Sequence, residues 1–546
     1  MSQGRRVLIG LTGAILASGI ACAGKLKVPE GGVEPASERA TPRRPEDETR
    51  LPQAIAPKVF PAVPPPDAAA ADVPSGYKVE VALLDLVYPT SVEFDDKGNL
   101  YVAEAGYSYG DPVALARVLR VSPAGKISRV ADQLSGPVTD LLWDKGKLYI
   151  SHRGKVSVLE GSGLRDLVTD LPAQGDHQNN QLAIGPDGKL YFGMGTVTNS
   201  GVVGLDNVSP FLWLLFYPDL HDIPARDLEL ADVSYTTPDP LTVLARQGEL
   251  VSFSAATEHL VSPSEPLLVK TGPFQPFGKT NGKVKGQVKA NGTILRVNPD
   301  GTGLEVFAWG LRNPFGVAFA PDGRLYATEN GYDERGSRPI ANAPDCIWLI
   351  KQGAFYGFPD FAGGVPVTDP QFRSSRGLQP TFLMKEHPPV EKPVRRLPPH
   401  SAATKIDFGK SGAFGFEGQM FFGEIGGAAP INNPKSTNAG YQVARLDLTS
   451  SAEPVRFFGL RAEALGQAGY EHTVTPGPRR PVDVKFSPDG STLYVVDFGG
   501  LAAFPAGAGP LAHPYPGSGV LWRVYRSDAK PWGPPPDLSP APPLEQ

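Results

Sequence analysis

The chain has 546 residues, with 52 basic and 57 acidic side chains and a formal charge of −5. Hydrophobic residues make up 41 % and aromatics 9 %, which excludes disorder throughout and a multi-span membrane protein. The mild acidity leaves no electrostatic footprint for nucleic acid. The only two cysteines, Cys22 and Cys346, exclude a disulfide framework and a cysteine-based zinc site. Glycine (62) and proline (58) interrupt the chain often, which favours short strands and turns over long helices.

In chain order, Arg5 and Arg6 precede an uncharged apolar run from Val7 to Ala21. The run is short for a membrane span and has the shape of an export leader. It ends Ser18-Gly19-Ile20-Ala21-Cys22, which resembles a bacterial lipobox with Cys22 as the lipidated residue. The alternative is simple secretion with cleavage near Ala23. On this reading the protein is exported to the periplasm or cell envelope and meets the membrane only through a lipid anchor. Residues 23–76 are rich in proline and charge, and residues 25–76 hold eleven prolines. Such a stretch buries too little apolar surface to fold, so an extended tether is expected, with the folded part starting near Tyr77.

From there one unit recurs: an apolar stretch, a turn rich in Asp and Gly, then a second apolar stretch. It occurs at 89–104, 137–152, 179–194, 314–329 and 481–497, with a degenerate copy at 405–424. Asp-Gly or Lys-Gly between apolar runs signals a hairpin, because the turn needs residues that tolerate positive φ. A second hairpin pattern follows each first one, at 117–130, 155–168, 293–307, 347–357, 441–458 and 520–526. Two hairpins per repeat make a four-stranded unit, and six units make an all-β, six-bladed β-propeller. The last unit lacks a fourth strand after Arg526. Tyr77–Leu84 is expected to supply it and close the ring. Residues 527–546 then form a proline-rich tail.

Antiparallel connectivity sorts the loops. The turns between strands 1–2 and 3–4 share one face, so Asp187, Asp322 and Asp489 are expected to be turn formers. The 2–3 loops and the links between blades share the other face, which carries Asp176-His177-Gln178, Arg312-Asn313, Glu329–Asp333, His400 and Arg479-Arg480. An insertion at 195–291 replaces the 2–3 loop of the third blade. Its length and its apolar stretch 211–217 mark a lid or cleft wall over this irregular face, where function is expected.

At these residues the chain resembles the glucose/sorbosone dehydrogenase family, six-bladed propellers that use pyrroloquinoline quinone (PQQ) and calcium. Three places carry the resemblance: Asp176-His177-Gln178 ahead of Ile184–Gly188; Gly310-Leu311-Arg312-Asn313-Pro314-Phe315-Gly316; and Glu329-Asn330-Gly331 followed by Gly353–Pro359. His400-Ser401-Ala402 and Arg480–Asp483 add weaker matches. The resemblance implies oxidation of a sugar or alcohol, with electrons passing to an external acceptor. His177 would be the general base. Asp176, Gln178, Arg312, Asn313 and Arg480 would bind the cofactor, and the carbonyls of Gly331 and Tyr332 would bind Ca2+.

A second reading stays open. The positions just past each second strand hold Glu104, His152, Met194, Glu329, Glu424 and Asp497. Carboxylates converging there on the axis would suit a central calcium and a lactonase-type hydrolase. A non-catalytic propeller that binds a glycan or partner protein is the third.

Overall fold

The computed structural model describes residues 63–106, 116–207, 213–238, 268–280, 282–427, 439–461, 475–503 and 512–535. Each repeat folds as an antiparallel four-stranded sheet, because its apolar runs bury both faces between neighbouring sheets. The blades begin with Pro89–Phe94, Val138–Asp144, Asn179–Ile184, Asn313–Phe319, Ala403–Phe408 and Pro481–Phe486. These first strands touch one another in sequence order, and the last touches the first. That cycle is a six-bladed propeller. Tyr77–Leu86 pairs with Gly519–Arg526, so the sixth blade takes its outer strand from the start of the folded chain, as expected. No helix among the described residues is long and apolar enough to cross a membrane.

The turn face follows its local chemistry. Asp187, Asp322 and Asp489 each accept a hydrogen bond from the backbone N–H two residues on, at 3.0–3.1 Å. The glycines after them, Gly188, Gly323 and Gly490, have φ of 73°, 84° and 69°, the region that glycine enters without strain.

The axis is closed by buried polar groups from different blades. Lys405 Nζ lies 2.7 Å from Asp140 and 3.5 Å from Asp483, and donates to the Thr90 carbonyl at 2.6 Å. Asp140 and Asp483 accept backbone N–H groups of the neighbouring blades, Leu182 and Val92. Gln181 bridges Ile406 and Val317 in the same way. Every one of these groups is paired, as burial requires.

Three expectations are corrected. The tether does not run free to residue 76. Asp67 caps a short 3-10 turn at Ala68–Ala70, and Ala71–Asp72 adds a fifth strand to blade 5 beside Leu460 and Gly459. Ala71 is buried there, so three small alanines and a well-placed Asp outweigh the flanking prolines. The tail is also docked at its start: Trp532 stacks edge-on to Phe94 at 4.9 Å, and Pro534 accepts from Arg523. Finally, 347–357 does not hold a complete hairpin. Asp345–Ile350 pairs with Arg395–Leu397, and the chain between them makes a long excursion. Its Phe355, Phe358, Phe372 and Met384 form a satellite core with Leu228, Leu230 and Phe274 of the insertion. The leader, Cys22 and most of the tether lie outside the described residues.

Candidate active site

The insertion joins Leu190–Met194 to Thr293–Val297. Its Val197–Asn207 stretch, Asp222 and Asn291 lie on the face that carries His177, as the connectivity requires, whereas Ala225–Asp227 and Gly286–Val288 line a cavity at the outer edge with Glu305, Val306, Gln352 and Gly353. Trp213 and Leu214 pack with Val197, Val203 and Leu501, while Phe216 and Tyr217 are exposed; residues 211–212 lie outside the described set.

His177 enters strand 1 of blade 3. Its Nδ1 lies 2.8 Å from the Thr196 carbonyl. A carbonyl only accepts, so Nδ1 carries the proton and the Nε2 lone pair is left to accept one. Burial holds the imidazole well below its usual pKa, and the Arg312 guanidinium adds to this, so His177 is neutral at pH 7. Gly195 separates His177 from Asn313. A Cβ there would meet His177 Cβ at 2.4 Å and Asn313 Oδ1 at 2.7 Å. The absence of a side chain is what allows imidazole and amide to sit side by side.

Asn313 belongs to an amide ladder. Asn180 Nδ2 donates to its Oδ1 at 3.0 Å, its own Nδ2 donates to Asn330 Oδ1 at 2.8 Å, and Asn330 donates to the Ala403 carbonyl. Arg312 is buried. Its Nε donates to Asn199 O at 2.9 Å, and its Nη2 reaches Asn199 Oδ1 and Asp333 Oδ2, both at 3.0 Å. Burial opposes ionisation of Asp333, but Arg312 and its neighbours outweigh it and hold the carboxyl well below its usual range. His400 Nδ1 stands 3.5 Å from Asp333. Burial alone would lower its pKa; Asp333 outweighs this and raises it. The φ of His400 is 62°, an uncommon conformation for a side-chain-bearing residue that the surrounding packing must impose.

The site therefore joins His177, Arg312, Asn313 and the loop at Gly331–Asp333. It does not join all the expected groups. Asp176 pairs directly with Arg335 and is turned into the protein. Gln178 contributes a backbone carbonyl that accepts from Gly195. Arg480 donates to the carbonyls of Ile425, Gly426 and Gly427, and stacks 4.9 Å from the Tyr441 ring. Among the described residues it shares no partner with Arg312. The Gly331 N–H is held by Asp345 at 2.7 Å. Among the described residues, neither the Gly331 nor the Tyr332 carbonyl accepts a hydrogen bond.

The carboxylate ring does not form. Each group at the end of a second strand turns into its own blade. Glu104 pairs with Arg117 and accepts Val87 N–H at 2.7 Å. Glu329 accepts Arg312 N–H at 2.5 Å and Trp348 Nε1 at 2.6 Å. Asp497 accepts Arg479 and Arg480 N–H, both at 2.8 Å, and Trp522 Nε1 at 3.1 Å. Glu424 takes Gln442 at 2.6 Å, and His152 bonds Ser157 and Ser135. Three of these carboxylates bind backbone N–H groups that lead into their own first strand. Among the described residues no three His, Cys, Asp or Glu groups could hold a metal ion together. Burial raises Glu329 and Glu424 to about 7. Arg335, Asp206, Asn199 and Asp222 were not identified from the sequence. Asp333-Glu334-Arg335 reads as an ordinary charged turn until the fold brings its partners to it.

Two comparisons of sequence agree with the resemblance drawn from the motifs. A family model described as glucose / sorbosone dehydrogenase matches residues 254–434, a stretch that includes Arg312, Asn313, Gly331, Tyr332 and His400 but not His177. Quinoprotein glucose dehydrogenase B of Acinetobacter calcoaceticus is 28 % identical over 200 residues, covering 36 % of this chain and 29 % of that enzyme. The chain thus matches under a third of that relative's length. Among solved structures, the holo PQQ domain of pyranose dehydrogenase from Coprinopsis cinerea is 16 % identical with a TM-score of 0.49, over 85 % of this chain and 99 % of that one. The PQQ-bound aldose sugar dehydrogenase of Streptomyces coelicolor is 16 % identical with a TM-score of 0.43, over 83 % and 99 %. The protein is a six-bladed propeller. Its sequence resembles the glucose/sorbosone dehydrogenases.

Proposed function

We propose that this protein is a PQQ-dependent dehydrogenase of sugars or other alcohols. One observation carries the reading: a neutral imidazole, His177, is fixed by the Thr196 carbonyl with its Nε2 free, beside the Asn313 amide and the Arg312 guanidinium. The donor set suits the cofactor. Arg312 spends one Nη1 hydrogen on the Asn330 carbonyl and Asn313 one Nδ2 hydrogen on Asn330 Oδ1, so each keeps one N–H to offer an anionic quinone. The Gly331 and Tyr332 carbonyls, which accept no hydrogen bond among the described residues, are hard oxygen donors of the kind Ca2+ accepts. Asp176 and Arg480 are committed to protein partners.

PQQ, when bound, supplies the acceptor for the hydride that leaves the alcohol carbon. His177 Nε2 takes the hydroxyl proton as the carbonyl product forms, so the substrate loses two electrons and one proton leaves on the base. The low proton affinity of His177 keeps it deprotonated and ready at neutral pH. Thr196 keeps its ring from turning. An external electron acceptor completes the cycle.

The test is reconstitution. Cofactor-free protein titrated with PQQ in excess calcium should develop a bound-quinone spectrum and then reduce a dye when sugar is added. His177→Ala should lower turnover by about 10²–10⁴-fold, the usual worth of a positioned base, with PQQ affinity changed only a few-fold. If PQQ does not bind in excess calcium, the reading fails.

A further inference from the structure

Arg335 follows the Gly331–Asp333 loop and spends three nitrogens on three carboxylates. Nη2 pairs with Asp176, Nη1 lies 3.0 Å from Asp206 Oδ2, and Nε lies 3.1 Å from Asp333 Oδ2. The carboxylates come from separate parts of the chain. Asp176 immediately precedes His177. Asp333 shares its Oδ2 with Arg312. Asp206 belongs to the insertion, in a 3-10 turn at Leu205–Asn207. Asp176 and Asp206 are buried, so pairing is obligatory for each of them if charged.

Two further contacts run the same way. Asp222, later in the insertion, accepts Val197 N–H at 2.7 Å and pairs with the Thr198 hydroxyl. It thereby fixes the segment whose Thr196 carbonyl orients His177. Asn199, at the insertion's root, holds Arg312 and also accepts Asp333 N–H at 2.9 Å. The insertion thus reaches the base by one route and the arginine by another, and Arg335 joins the two.

We propose that Arg335 is a positioning residue: by clamping Asp206 of the insertion to Asp176 and Asp333, it holds His177 and Arg312 in one frame and makes the insertion part of the active site. The kinetic consequence rests on the dehydrogenase reading; the structural consequence does not. A fork of three donors sets directions as well as charge, which a lysine cannot reproduce in full. The charged and titratable groups facing the clamp are Asp176, Asp206, Asp222, Asp333, Arg312, Arg376, His177 and His400.

The experiment uses full-length, cofactor-free protein labelled with ¹⁵N-histidine, with His177→Gln identifying the His177 signals. The wild type should show one Nδ1–H tautomer. Arg335→Met should mix the two tautomers, Arg335→Lys should recover the wild-type pattern in part, and Asp206→Asn should give a smaller change in the same direction. In reconstituted enzyme, Arg335→Met should lower kcat on the order of 10²-fold, as sub-ångström misplacement of reacting groups does, with KM changed far less. A folded Arg335→Met that keeps the single tautomer overturns the proposal. If that variant does not fold, Asp206→Asn decides, because it removes only the insertion's arm, and an unchanged His177 spectrum then overturns it. Should the wild type fail to bind PQQ, the dehydrogenase reading falls while the tautomer measurement still decides the clamp.

Discussion

The two faces of the propeller are built from hydrogen bonds of different reach. On the turn face, Asp187, Asp322 and Asp489 bond backbone only two residues away. On the other face, Arg312 bonds Asn199 across 113 positions, and Arg335 meets Asp176 across 159. The first kind of bond is a property of three consecutive residues and can be repeated by repeating them. The second exists only after several blades are in place. Such groups are fixed by the ring as a whole, which gives the site rigidity that a single loop lacks.

Glycine tests this contrast most sharply. Gly195→Ala, on the site face, should be the most damaging of these changes: its methyl must displace His177 or the Asn313 amide. Turnover should fall on the order of 10²-fold, with about 1–3 kcal/mol of stability lost to overpacking, measured by dye reduction and by denaturant unfolding.

Titration gives the next effect. Burial raises Glu424 to about 7, above its ordinary value near 4.5, so the folded state holds a proton that the unfolded state releases at lower pH. Its contribution to stability is fully present below pH 4.5 and is lost as pH rises through 7. Glu424→Gln should therefore flatten the fall in stability across that window, by up to about 3 kcal/mol for a shift of this size. Urea midpoints for both proteins at several pH values check this. Equal slopes would show that Glu424 is ionised throughout.

Gly188→Ala, on the turn face, should do least. Nothing lies within 4 Å of the added Cβ, so the cost comes only from a φ of 73°. It should be about 1–2 kcal/mol, with turnover unchanged. Loss of activity here would mean that the turn face communicates with the site.

The same division explains what could be read before the structure was known. Repeats such as NNQLAIGPDGKLYFGM encode strand, turn and strand within one window, and their number encodes the ring. Connectivity then assigned His177, Arg312 and the insertion to one face. The axial grouping of Lys405, Asp140 and Asp483 was invisible, because each member acquires its partners from other blades. Arg335 was invisible for the same reason. The carboxylates Glu104, Glu329, Glu424 and Asp497 misled in the opposite direction. Their recurrence just past the second strand resembled a metal ring, yet Glu104, Glu329 and Asp497 accept the N–H groups at the entrance to their own first strands. The docked segment at Ala68–Asp72 was obscured by the prolines on either side of it, since pairing with Leu460 depends on a strand edge nearly four hundred residues away.

The outer strand of blade 6, Tyr77–Leu86, pairs with Gly519–Arg526, and this fixes an order of events during synthesis. Tyr77–Leu86 leaves the ribosome more than four hundred residues before its partner. Until that partner arrives, Val79, Val81 and Leu83 border an open edge, able to pair with another chain. Earlier blades can collapse as they emerge, but the ring closes only when the final strand is released. Folding yield should therefore be most sensitive to truncation at the C-terminal strand, where a few missing residues leave both ends of the circle unsealed.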